Sequence, residues 1–510
     1  MRQRSPISNT RLARNTLLLY VRMLITMLIG LFSVRIILRA LGETDYGIYN
    51  VVGGVITMLA FLNNTLSSTT QRFLSYEMGQ KDGKYKEIFR TSISLYLLFC
   101  VALIIFGETV GLWFVNHKLT IPDERMFAAN CVYQFSIISF VFTVLSAPYN
   151  AAVIAHERMS FFAYVSIMDA LCKLLICYVL LYVSSDKLIV YSALMAMMSI
   201  SVFVLYVIYC NVQKLECTFK WLLQKEYISK IATFAGWGTF GALANIFRAQ
   251  GINFLLNIFF GPLVNTARGI AYQAETALLT LVQNFYIAVR PQAIKSYSEG
   301  YVSQTINLIL FATKVGYAII LLLFSITVFE APFIFNLWLG NTSDLTIIYF
   351  RIIMVSVLFE ALVTPLTMLV HANGNVKNYQ FFSGLLTTSS LLFAYIFLRA
   401  SGDKVVPMLA IPLVAVLLLV NVVIQVNRLM HFPLHEYMIL LFRLFIATIL
   451  VCLSIVTFQQ FENEGLLRFL FTGIISLLLT TATFVFILSK EEKSKLIYIL
   501  RSKFLKYRNR

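Results

Sequence analysis

Four basic residues lie inside long hydrophobic runs of this sequence, where a positive charge is expensive. Arg22 and Arg35 lie in the first run, Arg248 in the seventh and Lys314 in the ninth. A cation at the centre of a membrane helix costs about 2.5–3.5 kcal/mol on insertion scales. Buried cations need anions to pair with, and Arg binds phosphate oxygens in bidentate fashion. A transported anion that carries a diphosphate is therefore one candidate partner.

Acidic residues do not balance these cations. Nine Lys and Arg residues lie within the runs, and the acidic residues there are Asp169, Glu275 and Glu360. Asp169 and Lys173 have the i, i+4 spacing of an ion pair within one helix, which removes one acid from the count. Arg22 and Arg35 lie about a turn and a half from a helix end, so the sequence leaves open whether they snorkel or face a cavity.

Polar side chains, with one glycine among them, also follow one face of two of the runs. In the second run they are Asn50, Gly53, Thr57, Asn64, Ser68 and Gln71; in the eighth they are Gln273, Thr276, Thr280, Gln283 and Asn284. Lipid does not tolerate such stripes, so they must face protein or a water-filled cavity. Small polar residues also hold packed helices together. Their recurrence in two matching runs favours the cavity. Asn245 of the seventh run is also predicted to line this cavity.

The composition of the chain places all of these residues in a membrane protein. Of 510 residues, 59% are hydrophobic and only 13% are charged, whereas soluble domains carry about 25% charged residues. The net charge of +17 comes mostly from short loops between the apolar runs, which is typical of membrane topology signals rather than of nucleic-acid binding. We therefore expect an all-α integral membrane protein that binds no nucleic acid.

Runs of spanning length occur about fourteen times, which predicts about fourteen transmembrane helices. With a cytoplasmic N-terminus, the predicted cytoplasmic segments hold 26 Lys and Arg residues and the opposite segments hold 6. This asymmetry satisfies the positive-inside rule. It predicts that both termini are cytoplasmic and that the basic tail from residue 489 lies on the inner leaflet.

The two halves of the chain resemble each other at an offset near 220 residues. The segment 38–50 (LRALGETDYGIYN) has an echo in 256–273 (LNIFFGPLVNTARGIAYQ), and 148–164 aligns with 365–381. A six-helix repeat keeps its orientation, so the halves should be related by a pseudo-two-fold axis along the membrane normal. The predicted domains are a six-helix lobe at 1–215, a second at 216–430, two appended helices at 431–488 and a tail at 489–510.

Motifs for other chemistries do not occur in the sequence. There is no GxxxxGK[ST] phosphate loop, no HExxH and no GxSxG motif, so ATP hydrolysis and common hydrolase chemistry are not indicated. The seven Cys residues include no CxxC pair, so no metal site is predicted. We expect no cofactor, and any energy coupling would come from Na⁺ or H⁺, from membrane potential or from consumption of the product.

Three segments together carry a family resemblance. They are the turn LGETDYGIYN at 41–50, the stretch APYNAAVIAHERMSFFAY at 147–164 and its counterpart HANGNVKNYQ at 371–380. With fourteen spans in two repeats, the chain resembles bacterial polysaccharide-biosynthesis flippases of the multidrug/oligosaccharidyl-lipid/polysaccharide exporter (MOP) superfamily. The resemblance implies two lobes around a cation-lined cavity in the inner membrane. It also implies a substrate consisting of an oligosaccharide linked to undecaprenyl diphosphate.

The leading hypothesis is a flippase for such a substrate, working by alternating access and without enzymatic activity. Arg22, Arg35, Arg248 and Lys314 would bind the diphosphate. The polar stripe would contact the sugars through Asn50, Thr57, Asn64, Asn245, Gln273, Thr280 and Asn284. The alternatives are a peptidoglycan-precursor or multidrug exporter of the same superfamily and, less favoured, a membrane polysaccharide polymerase or ligase. A cation-coupled drug site needs acidic residues in the first lobe, and the first run offers Arg instead.

Overall fold

The computed structural model is built from helices and contains no strand in the part of the chain that it describes. That part comprises residues 9–58, 67, 70, 71, 73, 74, 77, 84–156, 158–213, 215, 217–340, 342–460, 465–489 and 491–494. Side chains are described for these residues except 9–21, 159, 226, 229–242, 284, 287, 288, 291, 295 and 298.

Fifteen α-helices follow one another through the described residues. They are α1 (Asn9–Thr57), α2 (Tyr85–Phe106), α3 (Leu112–His117), α4 (Met126–Ala155), α5 (Met159–Tyr182), α6 (Lys187–Val212), α7 (Lys225–Phe260), α8 (Pro262–Ser298), α9 (Val302–Phe329), α10 (Ala331–Leu339), α11 (Asp344–Asn373), α12 (Lys377–Ser401), α13 (Ala410–Leu429), α14 (Leu434–Gln459) and α15 (Leu466–Ile487). A π-helical turn at Gly107–Gly111 joins α2 to α3, and short 3₁₀ turns precede α4 and α13.

The number of membrane crossings agrees with the prediction of about fourteen. Eleven helices among the described residues are long and apolar enough to span a bilayer. In this count α1 appears once, although Gly42 divides it into two arms (residues 9–41 and 43–57), and α7 and α8 do not appear. Adding the second arm of α1 and these two helices accounts for the predicted segments. Large apolar side chains are exposed on the outer faces, for example Phe32 at 60% and Phe486 at 76%, as contact with lipid requires.

Two glycines break the helices in the same way at matching places in the repeat. Gly42 has φ 79° and ψ 171° between the arms of α1, and Gly261 has φ 78° and ψ −174° between α7 and α8. This backbone region is essentially restricted to glycine. Gly42 and Gly261 are 219 positions apart, so the structure reproduces the internal repeat within the segments 38–50 and 256–273 of the sequence echo.

The chain forms two compact units. Unit 1 comprises residues 1–270 and 387–404, and unit 2 comprises residues 271–386 and 405–510. These bounds differ from the predicted lobes, because α7 and the start of α8 are grouped with the first six spans. The predicted lobes describe which helices share a repeat, whereas these units describe which helices pack together in one conformation. The lobe boundary at 215/216 therefore stays a prediction.

A three-residue charge cluster fixes one end of unit 1. The Arg125 guanidinium donates to Asp45 at 2.6 and 2.9 Å and to Asp186 at 2.7 and 3.1 Å. Asp186 also accepts from the backbone N–H groups of Leu188 and Ile189, and thus caps α6. Burial works against ionisation of Asp186, but these hydrogen bonds prevail and lower its pKa. The cluster joins the second arm of α1 to the beginnings of α4 and α6.

Close backbone packing follows directly behind this cluster. A Cβ atom on Gly47 would overlap the Pro262 carbonyl at the start of α8. Beside it, the Thr266 hydroxyl donates to the Glu43 carbonyl at 2.5 Å. The absence of a side chain at Gly47 therefore lets the second arm of α1 and the first turns of α8 pack backbone against backbone, which small residues permit between membrane helices.

Asparagines complete the interior at the same end of unit 1. The Asn265 amide donates to the Asn253 carbonyl and side-chain oxygens at 2.7 and 2.8 Å, and Asn257 donates to Asn265 at 2.9 Å. Asn257 also accepts from the Thr120 N–H at 2.9 Å. All three side chains are almost completely buried, so these mutual bonds satisfy groups that the membrane interior cannot.

In unit 2, a fully buried carboxylate holds the last two helices. Glu330 is 0% exposed and follows α9. It accepts from Arg468 at 3.2 Å, from the Thr472 hydroxyl at 2.8 Å and from the Gln459 amide at 2.9 Å. Because three donors surround the carboxylate, α14 and α15 are joined to the junction of α9 and α10 rather than attached by apolar packing alone.

The backbone conformation at Gly42 predicts a measurable loss of stability on substitution. We expect Gly42→Ala to lower the free energy of unfolding by about 1–3 kcal/mol, because alanine is strained in this region. The measurement is the thermal midpoint of the purified protein in detergent. Gly473→Ala in α15 is the matched control, since a Cβ there meets no atom within 4 Å. Equal midpoints for the two variants would show that the turn accepts a side chain.

Candidate functional site

Unit 1 contains a half-open polar cavity of about 430 Å³. It lies between the second arm of α1 and helices α4 and α6, with one side chain contributed by α7. Its polar lining consists mainly of Asn50, Thr57, Ser136, Ser139, Thr143 and Gln250. Its apolar lining includes Tyr49, Phe135 and Phe140. Asn50 and Thr57 belong to the polar stripe predicted from the sequence, and the structure brings both to this cavity.

A glycine on α1 makes room for the contribution of α7. A Cβ atom on Gly54 would lie 2.7 Å from the Gln250 side-chain oxygen, so only glycine leaves the amide in place. The Gln250 amide donates to the Thr57 hydroxyl at 3.2 Å. Asn50 is positioned separately, since its amide donates to the Tyr46 carbonyl at 2.9 Å and its side chain contacts Gly269. The polar face of α1 is thus fixed against α7 and α8.

Hydroxyl groups on α4 form the opposite wall, and the sequence reasoning missed them. Ser136, Ser139 and Thr143 have spacings of three and four residues, which places them on one helix face. Ser139 is hydrogen-bonded to Ser199 of α6 at 2.6 Å. The Ser136 hydroxyl makes no hydrogen bond within the part of the chain that the structure describes. The helical spacing that reveals the polar stripe of α1 in the sequence also reveals this one.

The cation of α7 lies on a different face from the cavity. Arg248 precedes Gln250 by two residues, which corresponds to about 200° around a helix. Since Gln250 lines the cavity, Arg248 points away from it. Asn245 is about 60° from Arg248 around the same helix, and it is exposed while Arg248 is half-buried. The structure therefore places these two predicted residues together on one face.

The two arginines of α1 have different surroundings. The Arg22 guanidinium donates to the Ser166 hydroxyl of α5 at 3.2 Å and lies 4.5 Å from the ring centre of Phe162. Arg35 is exposed. Arg22 is thus held against a neighbouring helix, and its side chain does not reach the cavity of unit 1. Their predicted roles in diphosphate binding stay predictions.

Lys314 has a carboxylate partner that the sequence reasoning did not anticipate. Its ammonium donates to both side-chain oxygens of Glu492, at 2.7 and 2.9 Å. Glu492 also accepts from the Ser489 N–H at 2.6 Å, and its own N–H donates to the Ser489 hydroxyl at 3.2 Å. Ser489 and Glu492 therefore form a capping box. Burial disfavours the ionised carboxylate, but the bonds from Lys314 and Ser489 outweigh it and lower the pKa of Glu492.

This pair also revises the depth of Lys314. The sequence places Lys314 near the middle of α9, and the structure agrees. Glu492, however, lies beyond the end of α15 at Ile487. Because the two side chains are in contact, Lys314 is level with the end of α15 rather than with the bilayer centre. Its charge is compensated within unit 2, and a role in substrate binding stays a prediction.

The remaining predicted residues lie on α8 or outside the described side chains. Gln273 and Thr280 are half-buried in unit 2, and the Thr280 hydroxyl donates to the Thr276 carbonyl at 2.7 Å. Asn64 lies outside the described residues, and the side chain of Asn284 is not among those described. The predicted ion pair on α5 is confirmed, with Lys173 and Asp169 separated by 2.7 Å.

Solved structures match this arrangement over nearly their whole length. The lipid II flippase MurJ in an inward closed conformation superimposes with a TM-score of 0.72, covering 92% of this chain and 98% of that chain at 13% identity. An inward-facing multidrug resistance MATE transporter of the MOP superfamily gives a TM-score of 0.69, covering 81% and 98% at 14% identity. The chain has the MOP transporter fold. No protein-family model and no curated protein matches the sequence. The MOP fold thus confirms the predicted fold class.

The ion pair of Lys314 predicts a rescue experiment. We expect Lys314→Gln to destabilise the protein by roughly 1–3 kcal/mol, between the values for surface and buried pairs, because Glu492 then loses its partner. Glu492→Gln should restore the thermal midpoint in the double variant, since Gln still serves in a capping box. Because the pKa of Glu492 is lowered in the folded protein, the ion pair stabilises the wild type at pH values above the ordinary pKa of a carboxyl group. This contribution disappears as the pH falls through the pKa of the folded state.

Substrate transport separates the two roles of Lys314. If the ion pair is structural, the double variant also recovers transport. If Lys314 binds the diphosphate, the double variant stays inactive although its stability is restored.

Proposed function

We propose that this protein is a flippase for an oligosaccharide linked to undecaprenyl diphosphate. The substrate would be a repeat unit of the O-antigen or capsule type, moved from the cytoplasmic to the periplasmic leaflet of the bacterial inner membrane. The observation that carries the proposal is the division of α7 into two faces. One face presents Arg248 with Asn245, and the other places Gln250 in an uncharged polar cavity.

The two faces suit the two parts of such a substrate. A diphosphate requires cations with several donors, which Arg supplies. Sugars require neutral donors and acceptors, which hydroxyl and amide side chains supply. Arg248 makes no hydrogen bond or ion pair with any residue in the described ranges, so its donors are available. The polyprenyl chain would remain in the bilayer while the head group moves by alternating access.

The likeness to MurJ, a lipid II flippase, favours a lipid-linked glycan over a drug. It also makes a peptidoglycan-precursor flippase the second candidate. The drug-exporter alternative needs an acidic site in the first lobe, and the side chains lining the described cavity of unit 1 include no carboxylate. Transport rather than catalysis, an orientation with both termini cytoplasmic, and coupling to Na⁺ or H⁺ remain parts of the proposal.

A gene deletion distinguishes the two substrates. Loss of the protein should cause lipid-linked oligosaccharide repeat units to accumulate on the cytoplasmic side and surface polysaccharide to disappear. Accumulation of peptidoglycan precursor instead would favour the second candidate. Normal surface polysaccharide, in a strain without a redundant flippase, would contradict the proposal.

Arg248 provides the sharpest test at the level of a residue. We expect Arg248→Ala to reduce export about ten- to a hundredfold, because charge-assisted hydrogen bonds contribute roughly 1.5–3 kcal/mol each. Arg248→Lys should be intermediate, since it keeps the charge and loses bidentate geometry. Export is measured by labelling surface polysaccharide in cells that contain equal amounts of inserted protein.

Arg399→Ala is the control for this experiment. Arg399 is exposed in unit 1 and packs on Phe259 and Tyr395. Its removal deletes a guanidinium beside Phe259, which lies eleven residues, or about 16 Å, along α7 from Arg248. Wild-type export by Arg248→Ala would reduce Arg248 to a packing residue.

A further inference from the structure

We propose that the cavity of unit 1 is a subsite for an uncharged sugar unit of the transported glycan. This inference rests on the proposed function, because it assigns one part of that substrate to one part of the protein. It also restricts the charge of the sugar that the protein accepts, which does not follow from the fold. The subsite accepts neutral, hydroxyl-rich sugars and disfavours uronic acids and other charged sugars at the position that it binds.

The restriction follows from the charge of the walls. The side chains that line the cavity include no carboxylate, ammonium, guanidinium or imidazole group among the described residues. A charged sugar that entered would lose part of its hydration without gaining a counter-charge, which is costly. Arg248, the nearest cation along α7, points to the opposite side of the helix.

The walls nevertheless offer hydrogen bonds to a neutral ligand. The Ser136 hydroxyl has no partner in the part of the chain that the structure describes. Asn50 donates an amide N–H to the Tyr46 carbonyl, which leaves its side-chain oxygen as an acceptor. Gln250 donates to Thr57, and its oxygen remains an acceptor. These groups face each other across the cavity from α1, α4 and α7.

The size and the apolar walls of the cavity also fit a sugar. Its volume of about 430 Å³ falls within the usual range of roughly 300–1,000 Å³ for small-molecule sites. The rings of Tyr49, Phe135 and Phe140 supply flat apolar surfaces beside the polar groups. Such a combination of aromatic walls and a few polar groups is the ordinary composition of a ligand site.

Gly53 gives a way to fill the cavity without removing a hydrogen bond. It lies on the wall of α1, and a Cβ atom there would lie 3.9 Å from the Ser136 hydroxyl oxygen. This is ordinary contact, so a larger side chain at Gly53 would extend into the cavity. The neighbouring Gly54 is unsuitable, because a Cβ atom there would displace Gln250.

The experiment measures binding by the full-length protein in lipid nanodiscs. Three probes share one short polyprenyl diphosphate: the first carries no sugar, the second carries N-acetylglucosamine and the third carries glucuronate. We expect the wild type to bind the N-acetylglucosamine probe about tenfold more tightly than the other two, which corresponds to one or two hydrogen bonds of ordinary strength.

Variants locate this preference in the cavity. Gly53→Leu should remove the tenfold preference and leave binding of the sugar-free probe unchanged. Ser136→Ala, which adds no volume, should reduce the preference severalfold and serves if Gly53→Leu fails to fold. Gly473→Leu on α15 is the matched control, because its Cβ meets no atom within 4 Å, and it should keep the wild-type preference.

Each result has a distinct meaning. Equal binding of the sugar-free and N-acetylglucosamine probes by the wild type overturns the subsite and leaves the proposed function standing. Equal binding of the glucuronate and N-acetylglucosamine probes overturns the restriction to uncharged sugars. A preference that survives both Gly53→Leu and Ser136→Ala places the sugar elsewhere. Failure of the wild type to bind any of the probes overturns the proposed function as well.

Discussion

The structure depends on the cost of leaving a polar group unpaired in a medium that cannot solvate it. A buried polar group without a partner is expensive, and a buried charge needs both an opposite charge and hydrogen bonds. Glu330 meets this requirement with Arg468, Thr472 and Gln459, and Arg125 meets it with Asp45 and Asp186. Each of these clusters joins the ends of several helices. The same rule that limits where charges can be placed therefore also determines which helices are held together.

Glycine has an equally direct part in the architecture. At Gly42 and Gly261 it permits a backbone turn that other residues rarely adopt. At Gly47 it lets a neighbouring helix approach until a single methyl group would not fit, and at Gly54 it leaves room for the Gln250 side chain. The turn brings the second arm of α1 back across the membrane, and the close contacts then hold that arm against α7 and α8. The position of the polar stripe of α1 follows from these two properties together.

The fold could be predicted from the sequence because its signals are local. The hydrophobic runs, the distribution of loop charges and the repeated glycine turn all lie within short stretches, and the structure bears out the helical membrane fold. Part of the cavity could be predicted for the same reason, since Asn50 and Thr57 stand out in their run. The stripe of α4 was not predicted, because Ser and Thr within a helix often hydrogen-bond to the backbone of that helix, as Thr143 does with the Ser139 carbonyl. Their presence in a run therefore does not by itself indicate a cavity. The partner of Lys314 could not be found, because Glu492 lies 178 residues away and only tertiary packing brings it near.

The neutral walls of the unit 1 cavity have an electrical consequence. Moving one elementary charge through the membrane potential involves about 2.3 kcal/mol per 100 mV. A neutral ligand bound only by uncharged side chains moves no charge through the membrane potential. Its passage therefore involves no electrical work. The voltage dependence of any transport would then arise at charged faces such as that of Arg248. If the substrate carries a neutral glycan, as proposed, lengthening that glycan would change the time needed for a crossing. It would leave the voltage dependence of the crossing unchanged.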